Sequence, residues 1–579
     1  MFGKYKFNQL SKYCKNDMSN FPKYRLALLG DCSTQHMAAA IKGHAYTKNL
    51  RIEIFDADYD QIFSQVMDSD SEMYGFKPEA TLIFMCVEKL YQTWLETPID
   101  QRKNFANDVF DRIKEYWNCI ESNCCANILQ LTFAENDDFV FGNYACKKSD
   151  SFIYQLRKLN LLLMDGCIEN KNVFLIDLCK IQSLIGREHL YDPKLYHIAK
   201  MPISLAILPY VAANVVDVIQ SLCGVFKKCV AVDLDNTLWG GIIGDDGLTG
   251  IQIGELGIGQ AFSELQKWLK ELKSRGILLA ACSKNEETVA KEPFEKHSEM
   301  ILKLEDFSIF MANWEDKATN IRNIQNTLNI SMDSIIFIDD NPFERNLVKS
   351  LIPEITVPDL PEDPSQYLPY LQSLNLFETA SYSEEDANRT EKYRAETQRE
   401  SMKRQYANFD EYLQSLEMKA VVSPFDEFHM PRIAQLTQRS NQFNLRTIRY
   451  TEKEIEAAKN NPDKITVYFT LKDKLADHGL VGVVIMEKQN EKNLFVETWL
   501  MSCRVLKRGM EEFIANKMIE TAKKHGFESV TGEYIKTQKN AMVADIYEKM
   551  GFTRKNDNIF TADVNDFKYK KTFIKEQQQ

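Results

Sequence analysis

Two aspartates two residues apart, Asp233 and Asp235, close a run of small apolar residues in the stretch VAVDLDNTL. A strand's period of two puts both carboxylates on one side. One carboxylate of such a pair can attack phosphorus and form an aspartyl-phosphate, while the other protonates the leaving oxygen and then activates water. Two anions facing a phosphate repel it, so a cation must stand between them. Later stretches supply what this chemistry lacks: Ser283 in ACSKN can donate to a phosphoryl oxygen, Lys317 can neutralise developing charge, and Asp339 and Asp340 at the end of SIIFIDD can hold Mg²⁺ with Asp233 and Asp235. Asn236, Thr237 and Lys284 flank these groups and are read, with Ser283 and Lys317, as phosphate contacts. DLDNT by itself is equally well a solvated turn at a strand end. Followed in order by a serine, a lysine and a second acidic pair, it points to a single site.

The elements that must position these groups are legible as apolar runs. KCVAVDLDNT, GILLAACSKN and SIIFIDDNP are three buried-type strands ending in polar residues, and in open α/β sheets ligands sit at the carboxyl ends of strands. Upstream, RLALLG, RIEIF, TLIFMCV, NILQLTF and NVFLIDL alternate with stretches of helical character, which predicts another parallel α/β sheet. Downstream, ITVYFTLK, GLVGVVIMEK and NLFVETWLMS precede an amphipathic helix near residues 508 to 525. Between about 377 and 414 the chain is charged and poor in Gly and Pro, which predicts a largely exposed helical connector.

At 579 residues the chain exceeds what one core supports. Lys and Arg number 71 against 83 Asp and Glu, and a net charge of -12 gives no reason to expect a nucleic-acid partner. The 13 cysteines show no paired CxxC spacing, which predicts reduced thiols. No segment offers ~18 consecutive apolar residues, and the amino terminus lacks a signal-peptide core, so the expectation is a cytoplasmic protein with no membrane partner.

The order DxDNT, Ser, Lys, DD resembles the four motifs of the haloacid-dehalogenase superfamily over roughly residues 228 to 350. The resemblance implies an aspartyl-phosphate intermediate and Mg²⁺, and Asp235 at the position after next implies phosphatase rather than ATPase chemistry. Only 49 residues separate Asp233 from Ser283, and 33 separate Ser283 from Lys317, so a separate cap domain has no room. WGGIIGDDGLTGIQIG reads as a short flap before the helix AFSELQKWLKELKSRG. DLDNTLW is also similar to the small magnesium-dependent protein-tyrosine phosphatases of that superfamily, which keeps a macromolecular substrate open.

Near the amino terminus, Gly30-Asp31-Cys32-Ser33 resembles the first block of SGNH hydrolases, with Cys32 at the nucleophile's place. Asn143, and Asp192 with His197, match that family's remaining residues only approximately, so the reading is an SGNH-like scaffold without hydrolase activity and a packed Cys32. The carboxy-terminal part resembles GNAT acyltransferases: MSCRVLKRGMEE stands where the pyrophosphate loop lies, and Asn540 and Tyr547 match the second motif. Met510, Glu511 and Glu512 replace the small residues of that loop, which argues against acetyl-CoA, whereas a protein-borne pantetheine arm lacks the pyrophosphate. Cys503, beside Arg504, falls where that fold holds an acyl group, and Tyr547 could protonate a departing thiolate; both are also ordinary packing residues.

The three parts together, with LAKMPIS, DLDNTLWGGIIGDDG, IFIDDNPFERNLV, RSNQFNLRT and MSCRVLKRG, resemble the FkbH-like family. The expected fold is multidomain α/β: an SGNH or flavodoxin-like domain over 1–222, a capless haloacid-dehalogenase-like Rossmannoid domain over 223–375, a helical connector over 376–416 and a GNAT-like α+β domain over 417–579. The resemblance implies removal of phosphate from an acyl phosphate, 1,3-bisphosphoglycerate, and loading of the glyceryl unit onto an acyl carrier protein in polyketide biosynthesis. The alternatives are a plain phosphohydrolase of a phosphorylated small molecule or sugar phosphate, with the flanking domains as cap or scaffold, and a non-catalytic assembly protein.

Overall fold

A computed structural model describes residues 5–577 apart from 383–398, 400, 401, 403–405, 407 and 538. The chain divides into two compact units, Met1–Gln220 and Ser221–Gln579. In the first, β1 (Lys23–Gly30), β2 (Arg51–Asp56), β3 (Ala80–Phe84), β4 (Asn127–Leu131) and β5 (Val173–Ile176) form a parallel sheet of order β2-β1-β3-β4-β5. These are the five apolar runs read from the sequence; the inner strands β1, β3 and β4 are buried nearly throughout, as in sheets covered on both faces, whereas the edge strand β2 alternates as Arg51-Ile52-Glu53-Ile54. The order is that of the flavodoxin-like doubly wound fold. A core built from Ile83, Trp94, Trp117, Ile128, Phe133 and Leu159 packs helices, among them α1 (Phe105–Asn123) and α2 (Phe152–Glu169), on this sheet.

The second unit holds two sheets. β6 (Cys229–Val232), β7 (Leu278–Ser283), β8 (Phe307–Ala312) and β9 (Ile335–Ile338) pair in parallel in the order β8-β7-β6-β9. Alternate residues of β6 serve different cores: Val230 and Val232 face one, Cys229 and Ala231 the other. β8 is the strand of this sheet that the sequence reading missed; it lies at the sheet edge, next to β7. The segment between the first motif and the next helix is a short flap, closed by a bridge between Gly240 and Gln252 before α3 (Gly259–Ser274).

Two helices begin at the site because their caps are built into the motifs. Asp316 accepts the Thr319 N–H at 2.9 Å and starts α4 (Lys317–Leu328), which puts Lys317 in the first turn. Asn341 accepts the Phe343 N–H at 2.9 Å and Pro342 occupies the first turn of α5 (Pro342–Leu351), so Asp339 and Asp340 fall in the turn between β9 and that helix.

The third sheet comprises β10 (Lys419–Pro424), β11 (Lys464–Lys472), β12 (Asp477–Lys488), β13 (Asn493–Met501), β14 (Ser529–Glu533), β15 (Thr553–Arg554), β16 (Ile559–Asp563) and β17 (Lys575–Glu576), in the order β15-β16-β14-β13-β12-β11-β10-β17. β13 and β14 run parallel, joined through α6 (Met510–Lys524), whereas the pairs from β10 to β13 are antiparallel. This mixed sheet with its single crossover helix is the part called GNAT-like after the sequence resemblance that predicted it. Most of the connector expected over 376–416 lies outside the described residues. Arg399, inside it, departs from the expected exposure: its guanidinium is fully buried and meets both Asp473 oxygens at 2.9 and 2.8 Å.

Asp473 also lies 3.0 Å from His478 Nε2 and 3.5 Å from Arg508. Burial works against its charge, but hydrogen bonds from His478 and Arg399 outweigh it and hold the carboxyl well below the usual carboxylate range. Because folding depresses this pKa, the stabilisation is present above the ordinary value of 3.8 and is lost as pH falls through and below it. Asp473→Ala, which leaves Arg399 buried without its partner, is expected to lower the unfolding free energy by about 3–5 kcal/mol, read from urea midpoints near pH 7. The gap between wild type and variant is expected to narrow under strongly acidic conditions.

Candidate active site

β6 delivers Asp233 at its carboxyl end, flanked by β7 on one side and β9 on the other. Lys317 reaches across from the first turn of α4. Its ammonium lies 2.8 Å from Asp233 Oδ2 and also contacts Asp339 Oδ2, with all three side chains buried. Carboxylate oxygens of Asp233, Asp339 and Asp340 lie within 4.8 Å of one another. Three carboxylates against one ammonium leave an excess of negative charge. Burial first, and then the neighbouring Asp233 charge, pushes the Asp339 carboxyl up to about 7, with Lys317 opposing. Burial alone would lower Lys317, but Asp233 and Asp339 more than reverse this and keep it an ammonium. Oxygen donors at this spacing, short of positive charge, suit a hard divalent cation, and Mg²⁺ fits them.

The cluster is held from behind. Thr237, fully buried, donates to Asp340 Oδ1 at 3.3 Å and accepts the Asp340 N–H at 3.1 Å. Arg345 donates to the Asp339 and Asp340 carbonyls at 2.8 and 2.5 Å, and the Asn341 N–H donates to Asp339 Oδ1 at 2.8 Å.

Asp235 is treated differently, and this corrects its expected place among the metal side chains. Its Oδ1 accepts from Trp239 Nε1 and the Ile243 N–H, both at 3.0 Å, and its Oδ2 accepts from Asn285 Nδ2 at 3.2 Å. The strand ends at Val232, so the period of two does not carry through to Asp235, and the flap sets its direction. Burial raises the Asp235 carboxyl, against the Ile243 and Trp239 donors, which suits a group that must carry a proton.

Three expected phosphate contacts also have other work. Asn236, at φ +55°, accepts the Gly241 N–H at 2.9 Å and shapes the flap; Thr237 holds Asp340; Lys284 pairs with Glu344 at 2.6 Å. Ser283 is buried at the end of β7, beside the Asp233 loop. Trp239, Asn285, Glu344 and Arg345 were missed by sequence reasoning although each sits inside a recognised motif. Nothing in one sequence tells a motif's ligands from its props.

In the carboxy-terminal part, Glu511 Oε1 accepts the Lys507 N–H at 2.8 Å, so a buried carboxylate occupies an amide of the loop that the sequence reading compared with a pyrophosphate loop. Tyr547 is corrected from an acid to a packing residue: it is 1% exposed, its hydroxyl has no hydrogen-bond partner among the described residues, and its ring lies against Trp499, Phe552 and Phe560. Asn540 is likewise structural, donating to the Asn444 and Ile535 carbonyls at 3.0 and 2.9 Å and accepting the Thr537 N–H at 2.7 Å. Arg504 donates to Ser502 Oγ at 3.2 Å. Cys503 is half-buried, and its carbonyl accepts from Asn329 Nδ2 at 2.7 Å. Asn329 caps the far end of α4, roughly 18 Å along that helix from Lys317 at 1.5 Å per residue. Cys503 therefore lies at the opposite end of the phosphatase sheet from Asp233.

In the amino-terminal unit, Asp31 and Cys32 are buried just past the end of β1, and the Ser33 N–H donates to the Lys200 carbonyl at 2.9 Å. Asn143 and His197 are exposed, Asp192 is spent capping a helix at Lys194 and Leu195, and no hydrogen bond among the described residues joins them to Cys32. Burial, with Cys86 and Asp31 beside it, raises the Cys32 thiol well above its usual range.

Residues 25–220 match the family model described as FkbH, N-terminal domain. The amino-terminal part of the protein BF1531 from Bacteroides fragilis, which contains a phosphatase domain and was crystallised with Mg, is 46% identical over 65% of this chain and 100% of that one, with a TM-score of 0.63. The ribosomal-protein-S18-alanine N-acetyltransferase from Escherichia coli is similar to 25% of this chain over 94% of its own, at 14% identity and a TM-score of 0.21. No curated protein matches the chain.

Thr237→Val keeps the volume of the side chain and removes both contacts to Asp340. It is expected to raise the Mg²⁺ concentration for half-maximal activity by about 10–100-fold. An unchanged Mg²⁺ titration would remove this role from Thr237.

Proposed function

The chain belongs to the FkbH-like family of haloacid-dehalogenase phosphatases, and from that premise we propose that Asp233 is the nucleophile of a phosphoryl transfer, with Asp235 as its acid and base. An Asp233 carboxylate oxygen attacks phosphorus, the bond from phosphorus to the leaving oxygen breaks, and the Asp235 carboxyl gives that oxygen its proton. Asp235 then takes a proton from water, the water oxygen attacks phosphorus, and inorganic phosphate leaves with Asp233 regenerated. Lys317 and Ser283 neutralise and orient the phosphoryl oxygens. Asp233, Asp339 and Asp340 would hold Mg²⁺, which when bound would supply the positive charge that a phosphate needs to approach a carboxylate. The observation that carries this reading is the division of labour among the carboxylates: three gather with Lys317, and Asp235 is held apart by Trp239, Ile243 and Asn285.

The finer reading is acyl loading. A thiol attacks the carbonyl carbon of an acyl phosphate such as 1,3-bisphosphoglycerate, a thioester forms, and inorganic phosphate leaves; the Asp233 centre removes the phosphate at the other end. With Cys503 roughly 18 Å along α4 from the Lys317 turn, the thiol that visits the phosphatase centre belongs to a long arm on an acyl carrier protein. The distance and the filled loop at Glu511 equally favour a second reading, a plain phosphohydrolase whose GNAT-like part is a scaffold.

Asp233→Asn is expected to abolish turnover, and Asp235→Asn to leave a slow or trapped phosphoenzyme, visible by intact mass after a single-turnover mix. Removing Mg²⁺ with a chelator is expected to stop activity until the ion is restored. Labelled 1,3-bisphosphoglycerate with an acyl carrier protein separates the two readings. Acylated carrier, lost in Cys503→Ala if that thiol relays the group and retained in Cys32→Ala, supports loading; phosphate release with no acylated protein leaves the phosphohydrolase.

A further inference from the structure

The sheet of the amino-terminal unit changes winding direction between β1 and β3, its two central neighbours. In doubly wound folds the crevice beyond the carboxyl ends of such strands is where ligands enter. The residues that emerge there are Asp31 and Cys32 after β1 and Cys86 after β3. One carboxylate oxygen of Asp31 and the two Sγ atoms lie within 4.8 Å of one another, and the residues are 7%, 2% and 2% exposed. Both cysteines are free thiols.

The carboxylate is oriented by the backbone of Cys86 itself. Asp31 Oδ1 accepts the Cys86 N–H at 2.8 Å, the kind of supporting bond that fixes a metal-binding carboxylate. Gly30 permits the tight turn that brings Asp31 round, since a Cβ there would stand 2.5 Å from the Thr34 methyl. Glu88, two residues beyond Cys86, buries its Oε2 without a hydrogen-bond partner among the described residues; the positive charges that act on these two carboxylates are Arg187 on Glu88 and Lys89 on Asp31.

We propose that Asp31, Cys32 and Cys86 form a second metal centre, specific for a thiophilic divalent ion such as Zn²⁺. Two sulfur donors and one oxygen select a borderline-soft ion and disfavour Mg²⁺, which the oxygen-only Asp233 cluster suits. Binding replaces two thiol protons by two metal–sulfur bonds, and both protons pass to solvent. Three protein donors leave a fourth tetrahedral position for water or a substrate oxygen, as in sites that do chemistry rather than only hold a fold.

The test uses the full-length reduced protein, stripped of metal and kept in saturating Mg²⁺ so that the Asp233 centre is filled. Titrated Co²⁺ is expected to give one equivalent of a tetrahedral spectrum with a near-ultraviolet thiolate-to-metal band, which Zn²⁺ then displaces. X-ray absorption at the zinc edge is expected to report two sulfurs and lighter donors in the wild-type protein, with no variant needed. Cys32→Ser and Cys86→Ser are each expected to weaken the thiolate band, and the isosteric Asp31→Asn to weaken Zn²⁺ binding on the order of 100-fold. The proposal is overturned by a wild-type protein that gives no thiolate band, by a band unchanged in the Cys32→Ser, Cys86→Ser double variant, or by a Cys32–Cys86 disulfide as the resting state after mild reduction.

Discussion

The buried ammonium of Lys317, shared between Asp233 and Asp339, is the interaction on which the second unit is organised. A carboxylate cluster at the end of a parallel sheet would repel itself apart without it, and the lysine is placed by the cap of its own helix, Asp316. One positive charge does not balance three negative ones. The remaining deficit gives the site its affinity for a divalent cation, and through it for a phosphate. Stability and function here draw on the same electrostatics: the pocket is charged enough to need a ligand and braced enough, by Thr237, Arg345 and the Asn341 N–H, to wait for one.

Separation of roles follows from separation of contacts. Asp233 and Asp235 are neighbours in sequence with the same side chain, yet one faces Lys317 and the acidic cluster while the other faces the flap. Three neutral donors, Trp239, Ile243 and Asn285, hold the second without a formal positive charge, so it remains able to exchange a proton. The indole of Trp239 is buried against Phe294, which ties the position of Asp235 to the hydrophobic core beneath the flap.

The GNAT-like part meets the phosphatase sheet at the end remote from the chemistry. Asn329 joins the Cys503 carbonyl, and Lys539 joins Asp333 at 2.6 Å, both contacts lying on the side where the chain enters β9 rather than where it leaves. This part is therefore not a lid over Asp233. Its own charges are turned inward: Arg508 and Arg399 converge on Asp473, and Glu511 caps the Lys507 amide, so the features that make such a loop an anion cradle are satisfied within the protein.

By itself the sequence determined the strands and the order of the motifs. Short apolar runs such as RLALLG and CVAV bounded by polar residues favour buried strands, and Asp233, Ser283, Lys317 and Asp339 each stand at the end of one or in the cap that follows, which is local information. β8, FSIFMA, escaped although five of its six residues are apolar; a short apolar run without flanking motif residues can equally be read as part of a buried helix. What only the tertiary structure decided is where each polar side chain finds its partner. Thr237 and Asp340 are 103 residues apart, and Lys284 and Glu344 are 60 apart. Asn236, Thr237 and Lys284 read as phosphate contacts by type and position and were claimed instead by the flap, Asp340 and Glu344. Tyr547 and Asn540 read as chemistry and were claimed by packing and by backbone groups. A hydrogen bond is short-ranged and directional, so the group that satisfies a polar side chain depends on which segments fold within about 3 Å of it, and chain order does not contain that distance.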